Sequence, residues 1–269
     1  MMSFSTTISQ TRLLPFALAR SYIAYLASTH LGIVARDHDL VVRLNPRLHQ
    51  HSCSFLISTS FARFQSDIGI YNQVIRDYFL VSNVLPWSQF RVIFDVGANI
   101  GMFSLISATI CSLGTIHAFE PLPYAIAKIE KNRELNELAN IVINASAVSD
   151  IIGMIKLSVI FNGTQASLNP SLVHEPDLSR VDASTVTLDG YVKQHSIDHI
   201  DMLKIDVEGA EYLVLRGGLK TLQITKYVLI EYHSPALKAQ CGAILQASGL
   251  RPVYQSTVSS TVGISLYTR

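Results

Sequence analysis

The sequence predicts a doubly wound α/β fold, in which roughly seven mostly parallel strands carry helices on both faces. Two observations lead to this prediction. From Arg91 onward, short apolar runs alternate with segments of helical periodicity, which is typical of successive βαβ units. In addition, the first apolar run ends in a turn containing Gly97 and Gly101, and such turns open helices in folds that bind cofactors at strand ends.

The chain before Phe90 has a different pattern and predicts a helical and short-strand extension over residues 1–89. Pro86 and Trp87 mark the junction, since proline interrupts regular structure. Residues 90–269 are expected to form the cofactor-binding domain. The elements predicted in the extension are a helix around Leu14 to Leu31, strands near Leu40 to Leu44 and Phe55 to Ile57, and a helix from about Ile70 to Phe79.

Periodicity and turn residues place the elements of the second region. The predicted strands are Val92 to Val96, Thr115 to Phe119, Ile141 to Val148, Gly153 to Phe161, Met202 to Val207, Tyr227 to Tyr232, Pro252 to Gln255 and Gly263 to Tyr267. The predicted helices are Met102 to Cys111, Leu122 to Leu138, Leu188 to His195, Glu211 to Leu215 and Ala236 to Ser248. Asn162 to Ser184 is rich in Ser, Pro and Asp and indicates a long loop, either a lid or a connection.

Charge and cysteine content exclude several classes. With 21 Lys and Arg against 20 Asp and Glu, the net charge is +1, so no nucleic-acid partner is expected. Three cysteines without a C-x-x-C pair argue against a disulfide framework and a structural zinc. A reducing, cytoplasmic location fits these features.

One apolar segment raises the question of a membrane. Only 15% of the residues are charged, so some apolar surface is expected to meet a partner or a lipid surface. Leu13 to Ala35 is about as long as a membrane span, but Arg20 interrupts it at a cost of roughly 2.5–3.5 kcal/mol. An ordinary packed helix is favoured, and peripheral membrane contact through this segment is the alternative.

The strongest chemical signal is Asp95 to Gly101, D-V-G-A-N-I-G, followed one strand later by Glu120. Glycine lets the backbone turn tightly and approach a ligand, and a carboxylate at a strand end can accept hydrogen bonds from ribose hydroxyls. A nicotinamide dinucleotide would need a third, regularly spaced glycine for its pyrophosphate, which this turn lacks. S-adenosylmethionine brings an ammonium instead, which Asp95 would hold.

A second cluster follows a later strand, in Lys204 to Glu211, K-I-D-V-E-G-A-E. Because ligands lie outside the carboxyl ends of parallel strands, Asp206 and Glu208 are expected to face the cofactor. Glu211 begins a helix, where complementing the helix dipole is an equally good explanation. His233 ends the next strand on the same rim and is a candidate proton acceptor near neutral pH.

Four segments together resemble the FkbM family of S-adenosylmethionine-dependent methyltransferases: Asp95–Gly101, Phe119–Pro121, Thr187–Asp189 and Lys204–Glu211. The resemblance covers roughly Phe90 to His233. It implies a class I methyltransferase, Rossmann-like sheet with a reversed terminal hairpin, and methyl transfer to a hydroxyl oxygen of a sugar, a polyketide or a similar small or glycan acceptor. The cofactor residues that it implies are Asp95, Gly97, Asn99, Gly101 and Glu120, with Ser146, Ala147 and Asp150 near the adenine. Asp206, Glu208 and His233 would face the acceptor.

Methyl transfer is an in-line displacement, so positioning should dominate and a base should activate the hydroxyl. His233 and Asp206 are the candidate bases. A divalent metal held by Asp206, Glu208 and a neighbour would serve the same purpose but is not favoured, because no octahedral set of ligands is visible. The alternatives are a non-catalytic interaction scaffold on the same fold and an NAD-dependent oxidoreductase. The oligomeric state is left open.

Overall fold

A computed structural model describes residues 32–36, 39–44, 53–58, 67, 70, 74, 85–159, 166–167 and 179–269. Three antiparallel strands lie near the N-terminus: β1 (Gly32–Arg36), β2 (Asp39–Leu44) and β3 (Cys53–Ser58). The last two were predicted. The interpretation of Leu13 to Ala35 as a packed helix is wrong for residues 32–35, because these residues pair with β2. The helix predicted around Leu14 to Leu31 lies outside the described residues.

The larger part of the described chain forms two further sheets and five helices. The strands are β4 (Val92–Val96), β5 (Thr115–Phe119), β6 (Ile141–Asn144), β7 (Ala147–Val148), β8 (Gly153–Val159), β9 (Ala166–Ser167), β10 (Ser179–Val186), β11 (Ile200–Ile205), β12 (Thr225–Tyr232), β13 (Arg251–Thr257) and β14 (Gly263–Thr268). The helices are α1 (Met102–Ile110), α2 (Pro123–Leu135), α3 (Leu188–Gln194), α4 (Glu211–Arg216) and α5 (Pro235–Ala247).

The seven-stranded sheet has the order β13-β14-β12-β11-β4-β5-β6. Its five strands from β6 to β12 are parallel, whereas β14 is antiparallel to β12 and to β13. The predicted doubly wound sheet with a reversed terminal hairpin is therefore confirmed. The chain leaves β4 toward β5 and later returns to β11 on the other side, and such a switch point opens a ligand crevice between the carboxyl ends of two strands.

Alternate residues of the central strands enter two separate cores. In β4, Ile93 packs with α1 and α2 on one face, whereas Phe94 packs with α3, α4 and α5 on the other. Both side chains are fully buried. Burial on both faces explains why the strand reads as a continuous apolar run instead of an alternating one.

Eight of the nine residues of helix α1 are buried, so the face that points away from the sheet is also covered. Residues before position 90 supply this cover. Trp87 is 1% exposed, and its ring centroid lies 5.2 Å from that of Phe90 and 6.0 Å from that of Phe103 in α1. Val74 and Leu85 join the same core. The residues next to the predicted junction are thus part of the core of the larger sheet.

A buried ion pair adds a second link between these parts of the chain. Asp67, which is helical, pairs with Lys128 of α2, and both side chains are almost completely inaccessible to solvent. The described residues Ile70 and Val74 are helical as well, in agreement with the predicted second helix. Among the described residues, no helix has the length and apolar character needed to cross a bilayer.

The smaller sheet has the order β7-β10-β8-β9. The loop predicted for Asn162 to Ser184 is wrong from Ser179 onward, because these residues pair antiparallel with β8, from Ser179 opposite Val159 to Ser184 opposite Met154. Polar residues dominate β10, but exposed Asp182 and Ser184 alternate with buried Ala183 and Thr185. The period of two marks a half-buried strand. Residues 160–165 and 168–178 lie outside the described part.

Candidate active site

The turn after β4, which we call the glycine turn (residues 97–101), has three residues with positive φ: Gly97 at 79°, Asn99 at 51° and Gly101 at 83°. L-residues with a side chain rarely adopt this conformation. A Cβ atom on Gly97 would lie 1.7 Å from the carbonyl oxygen of Asp206. The glycine turn and the chain after β11 therefore touch backbone to backbone at the predicted crevice.

Behind the glycine turn, Lys204 and Asp95 form a buried ion pair, with 3.1 Å between Nζ and Oδ1. Lys204 also donates a hydrogen bond to the carbonyl oxygen of Gly97 at 2.8 Å, and Ser104 donates one to Oδ2 of Asp95 at 2.6 Å. Burial lowers the pKa of Lys204, but Asp95 and Asp206 outweigh it and raise the pKa above its usual value. The cation that Asp95 holds is thus a side chain of this protein, which differs from the expectation that Asp95 holds the cofactor's ammonium.

Lys204→Met is expected to lower the free energy of unfolding by about 3 kcal/mol, because removing one partner leaves the buried charge of Asp95 uncompensated. Urea unfolding measures the change. Lys156→Met is the matched control: Lys156 pairs with Asp182 at 2.9 Å on the surface, with 68% and 62% of the two side chains exposed, so the loss should be about 0–1 kcal/mol. Equal losses in the two variants would contradict the role of the buried pair.

Glu120 follows β5 and is clamped by the backbone on both oxygens. Oε2 accepts a hydrogen bond from the N–H of Asn99 at 2.8 Å, and Oε1 accepts one from the N–H of Leu122 at 2.9 Å. Burial raises the pKa of Glu120 to about 7, although both hydrogen bonds act in the opposite direction. These hydrogen bonds hold the carboxylate of Glu120 at the edge of the glycine turn. A ligand bound there could donate hydrogen bonds to it.

These groups border an open cleft. Of the predicted cofactor residues, Gly97, Asn99, Glu120 and Ala147 line it. Asp95 and Gly101 do not: Asp95 lies behind the turn, and a Cβ on Gly101 would lie 2.9 Å from the side chain of Ile129 in α2. The lining also contains an apolar group that sequence reasoning missed, because its members come from four separate segments of the chain. They are Phe119, Pro121, Leu122, Val148, Leu157, Val207 and Ala210.

Two residues predicted near the adenine take part in other contacts. The hydroxyl of Ser146 lies 2.9 Å from that of Ser184 in β10. A carboxylate oxygen of Asp150 lies 3.4 Å from a guanidinium nitrogen of Arg216 at the end of α4. Neither residue lines the cleft, whereas their neighbours Ala147 and Val148 do. Of the three residues predicted near the adenine, only Ala147 lines the cleft, and the other two side chains connect neighbouring elements.

Opposite the glycine turn, Asp206 and Glu208 line the cleft in what we call the carboxylate turn (residues 206–211). His233, after β12, faces this turn. Its Nδ1 lies 2.7 Å from Oε1 of Glu211, and its Nε2 lies 3.2 Å from Oε2 of Glu208 and 3.8 Å from Oδ1 of Asp206. The structure therefore brings together the three residues that the sequence predicted at the acceptor side, and adds Glu211.

The carboxylates around His233 favour its protonated form, in which both ring nitrogens donate hydrogen bonds, and this differs from its expected role as proton acceptor near neutral pH. Burial lowers the pKa of His233, but hydrogen bonds to Glu208 and Glu211 and the charge of Asp206 raise it to about 11. The imidazole is then positively charged throughout the physiological pH range. The sequence contains each of these acidic residues, but it does not show how many of their carboxylates lie next to the imidazole of His233. The folded chain shows this number.

Comparison with known proteins agrees with this geometry. The profile of the Methyltransferase FkbM domain matches residues 95–251. The chain is 29% identical over 175 residues to the 31-O-demethyl-FK506 methyltransferase FkbM of Streptomyces tacrolimicus, covering 55% of this chain and 67% of the relative. It is 28% identical over 146 residues to the hexuronic acid methyltransferase AglP of Haloferax volcanii, covering 53% of this chain and 56% of the relative.

Among solved structures, the fibrillarin of Aeropyrum pernix with natively bound S-adenosyl-L-methionine has a TM-score of 0.49 and 12% identity, over 89% of this chain and 99% of that one. The family assignment depends on the sequence profile. Its match begins at Asp95, includes the glycine turn, Glu120 and the carboxylate turn, and spans more than half of the chain. The chain belongs to the FkbM family of S-adenosylmethionine-dependent methyltransferases.

Proposed function

We propose that the cleft binds S-adenosylmethionine between the glycine turn and the carboxylate turn and transfers its methyl group to a hydroxyl oxygen. The observation that carries the proposal is that Gly97, Glu120 and Asp206 line one cleft at the switch point of the sheet. Glu120 is placed to accept hydrogen bonds from ribose hydroxyls, and the apolar lining offers a surface for an adenine ring. S-adenosylmethionine, when bound, supplies a methyl group on a positively charged sulfur.

We assign Asp206 as the base that takes the proton from the acceptor hydroxyl. It lines the cleft and, as a carboxylate, it can accept a proton, whereas His233 is already protonated. Lys204 has its Nζ 3.9 Å from Oδ2 of Asp206, so the ammonium group lies on the side of the carboxylate nearest to Asp95. The residues of this chain thus position and deprotonate the acceptor, and the reaction needs little more from the protein.

The acceptor that we propose is a hydroxyl of a sugar, a polyketide or a similar small molecule. The names of two relatives support this class, since one methylates an oxygen of demethyl-FK506 and the other a hexuronic acid. Both relatives align with only about half of this chain. The acceptor is therefore best identified by transfer of labelled methyl from S-adenosylmethionine to a panel that contains 31-O-demethyl-FK506, hexuronic acids and other glycosides.

Calorimetry with S-adenosylmethionine and with NAD tests the cofactor assignment. We expect micromolar affinity for S-adenosylmethionine, at least tenfold weaker in Glu120→Ala because the ribose loses its acceptor, and no binding of NAD. Glu130→Ala, an exposed position on α2, should bind as the native protein does. Folded protein that binds neither molecule would favour a non-catalytic scaffold, and binding of NAD alone would favour an oxidoreductase.

Glu120 should also make the stability of the cofactor-free protein depend on pH. Its pKa rises from 4.5 to about 7 on folding, so between these values the native state keeps a proton that the unfolded state has released. The free energy of unfolding therefore contains a component of roughly 1–3 kcal/mol that is lost as pH rises from about 4.5 to about 7. Melting temperatures from pH 5 to 8 should show this fall in Glu130→Gln but not in Glu120→Gln.

A further inference from the structure

We propose that Glu211 is a positioning residue that acts through His233: it holds the imidazole so that Nε2 donates to Glu208, which leaves Asp206 as the carboxylate that faces the acceptor. This inference rests on the proposed function, because it assigns roles within the same cleft. It also assigns a role to Glu211. From the sequence alone, this residue could either complement the helix dipole or belong to the functional site.

The location of Glu211 is the first argument. Its side chain is 0% exposed, although it is the first residue of α4 and needs no burial to complement a helix dipole. Its Oε1 accepts hydrogen bonds from Nδ1 of His233 at 2.7 Å and from the N–H of Gly209 at 2.9 Å. Glu211 therefore connects the end of β12 to the turn that carries Glu208, where Glu208 and Gly209 both have positive φ, 51° and 101°.

The distances from Nε2 are the second argument. Oε2 of Glu208 lies at 3.2 Å, within hydrogen-bond range, whereas Oδ1 of Asp206 lies at 3.8 Å and Oε1 of Glu231 at 3.9 Å, too far for a hydrogen bond. Once Nδ1–H is donated to Glu211, the second ring nitrogen can donate to only one of these oxygens. Glu208 receives this hydrogen bond, so the chain of contacts runs from Glu211 through His233 to Glu208.

The charges around the ring are the third argument. Carboxylates reach His233 from three elements: Asp206 and Glu208 from the carboxylate turn, Glu211 from α4, and Glu231 from β12. Lys204 stands behind Asp206. A buried carboxylate such as that of Glu211 requires a compensating cation, and an imidazolium in contact with it provides one.

A divalent ion is the competing source of positive charge, because ligand atoms of Asp206, Glu208 and His233 lie within 4.8 Å of one another. The two cases differ at Nε2. An imidazolium carries a proton there, whereas a metal needs the lone pair of a neutral ring. ¹⁵N NMR of the histidine side chain distinguishes the protonated ring from the metal-bound ring, and it requires no methyl acceptor.

The experiment records long-range ¹H–¹⁵N correlations of the full chain from pH 6 to 9, with the His233 signal assigned by its absence in His233→Gln. We expect both ring nitrogens to stay protonated throughout in the native protein. Glu211→Gln keeps an oxygen for Nδ1–H but removes the charge, so the pKa of His233 should fall by at least two units, into this range. Asp198→Asn, which removes the carboxylate 2.8 Å from the exposed His199, should leave the His233 signal unchanged.

Three outcomes would overturn the proposal: a neutral His233 in the native protein at pH 7, an unchanged titration in Glu211→Gln, or saturable broadening of the His233 signal by Mn²⁺ that Mg²⁺ reverses. The native spectrum decides the first and third even if Glu211→Gln does not fold. Titration of the same sample with S-adenosylmethionine tests the proposed function independently. With an identified acceptor, Glu211→Gln should lower kcat at least tenfold and change the affinity for S-adenosylmethionine less than threefold.

Discussion

Gly97→Ala is expected to abolish binding of S-adenosylmethionine, with a loss of affinity of at least about a thousandfold. The added Cβ would lie 1.7 Å from the carbonyl oxygen of Asp206, and backbone at this point cannot move away cheaply because the N–H of Asp206 donates to the carbonyl oxygen of Val96 at 3.0 Å. The φ of 79° adds strain for any residue with a side chain. The two turns that border the cleft would therefore be forced apart.

Calorimetry on variants with a native circular dichroism spectrum measures this loss. Gly153→Ala is the matched control, because a Cβ there meets nothing within 4 Å, and its affinity should equal that of the native protein. Gly101→Ala should fall between the two, since the atom that it approaches, at 2.9 Å, belongs to the side chain of Ile129. If the affinity of Gly97→Ala for S-adenosylmethionine lies within threefold of the native value, the glycine turn is not part of the cofactor site.

Asp206→Asn is expected to lower kcat by about 10²–10⁴ at saturating cofactor, which is the usual contribution of a placed base. The amide keeps the size of the carboxylate but cannot accept the hydroxyl proton. Because the variant also removes a negative charge from the cleft that we propose for the positively charged cofactor, its affinity for S-adenosylmethionine should fall, but less than tenfold. Initial rates of methyl transfer to the acceptor identified in the panel, combined with calorimetry, separate the two effects.

Asp182→Asn, an exposed position on β10, is the control for Asp206→Asn and should keep the native kcat. A kcat unchanged in Asp206→Asn would mean that the hydroxyl is deprotonated elsewhere, and Glu208 would then be the next carboxylate to replace. A large loss of cofactor affinity with an unchanged kcat would instead place Asp206 in binding.

Sequence reasoning succeeded where the signal is local. The glycine turn and Glu120 each follow an apolar strand directly, so their neighbourhood was predictable from the order of the elements. Strand β10 was not predicted because most of its residues are polar. The alternation of exposed and buried side chains follows from its pairing with β8 and is not evident in the sequence. The partners of Asp95 were missed because Lys204 lies on a different strand, more than a hundred positions along the chain.

The protonation of His233 shows a different limit of sequence reasoning. The sequence identifies a histidine and several carboxylates on one rim, which correctly predicted that Asp206, Glu208 and His233 come together. It does not give the number of hydrogen bonds that reach the ring, and that number decides whether the ring donates or accepts a proton. Only the distances to Glu208 and Glu211 changed the assigned role from base to donor.

The position of β14 restricts which segments can be exchanged between relatives in order to change acceptor specificity. The profile match ends at Arg251, yet β14 lies inside the sheet, between β12 and β13, and Arg269 donates to the carbonyl oxygens of Leu222 and Ser248. A transplanted fragment bounded by the match would carry an uncovered α1 at one end and an open strand edge at the other. Chimeras should therefore retain the chain from before Asp67 to Arg269 and exchange only loops that border the cleft.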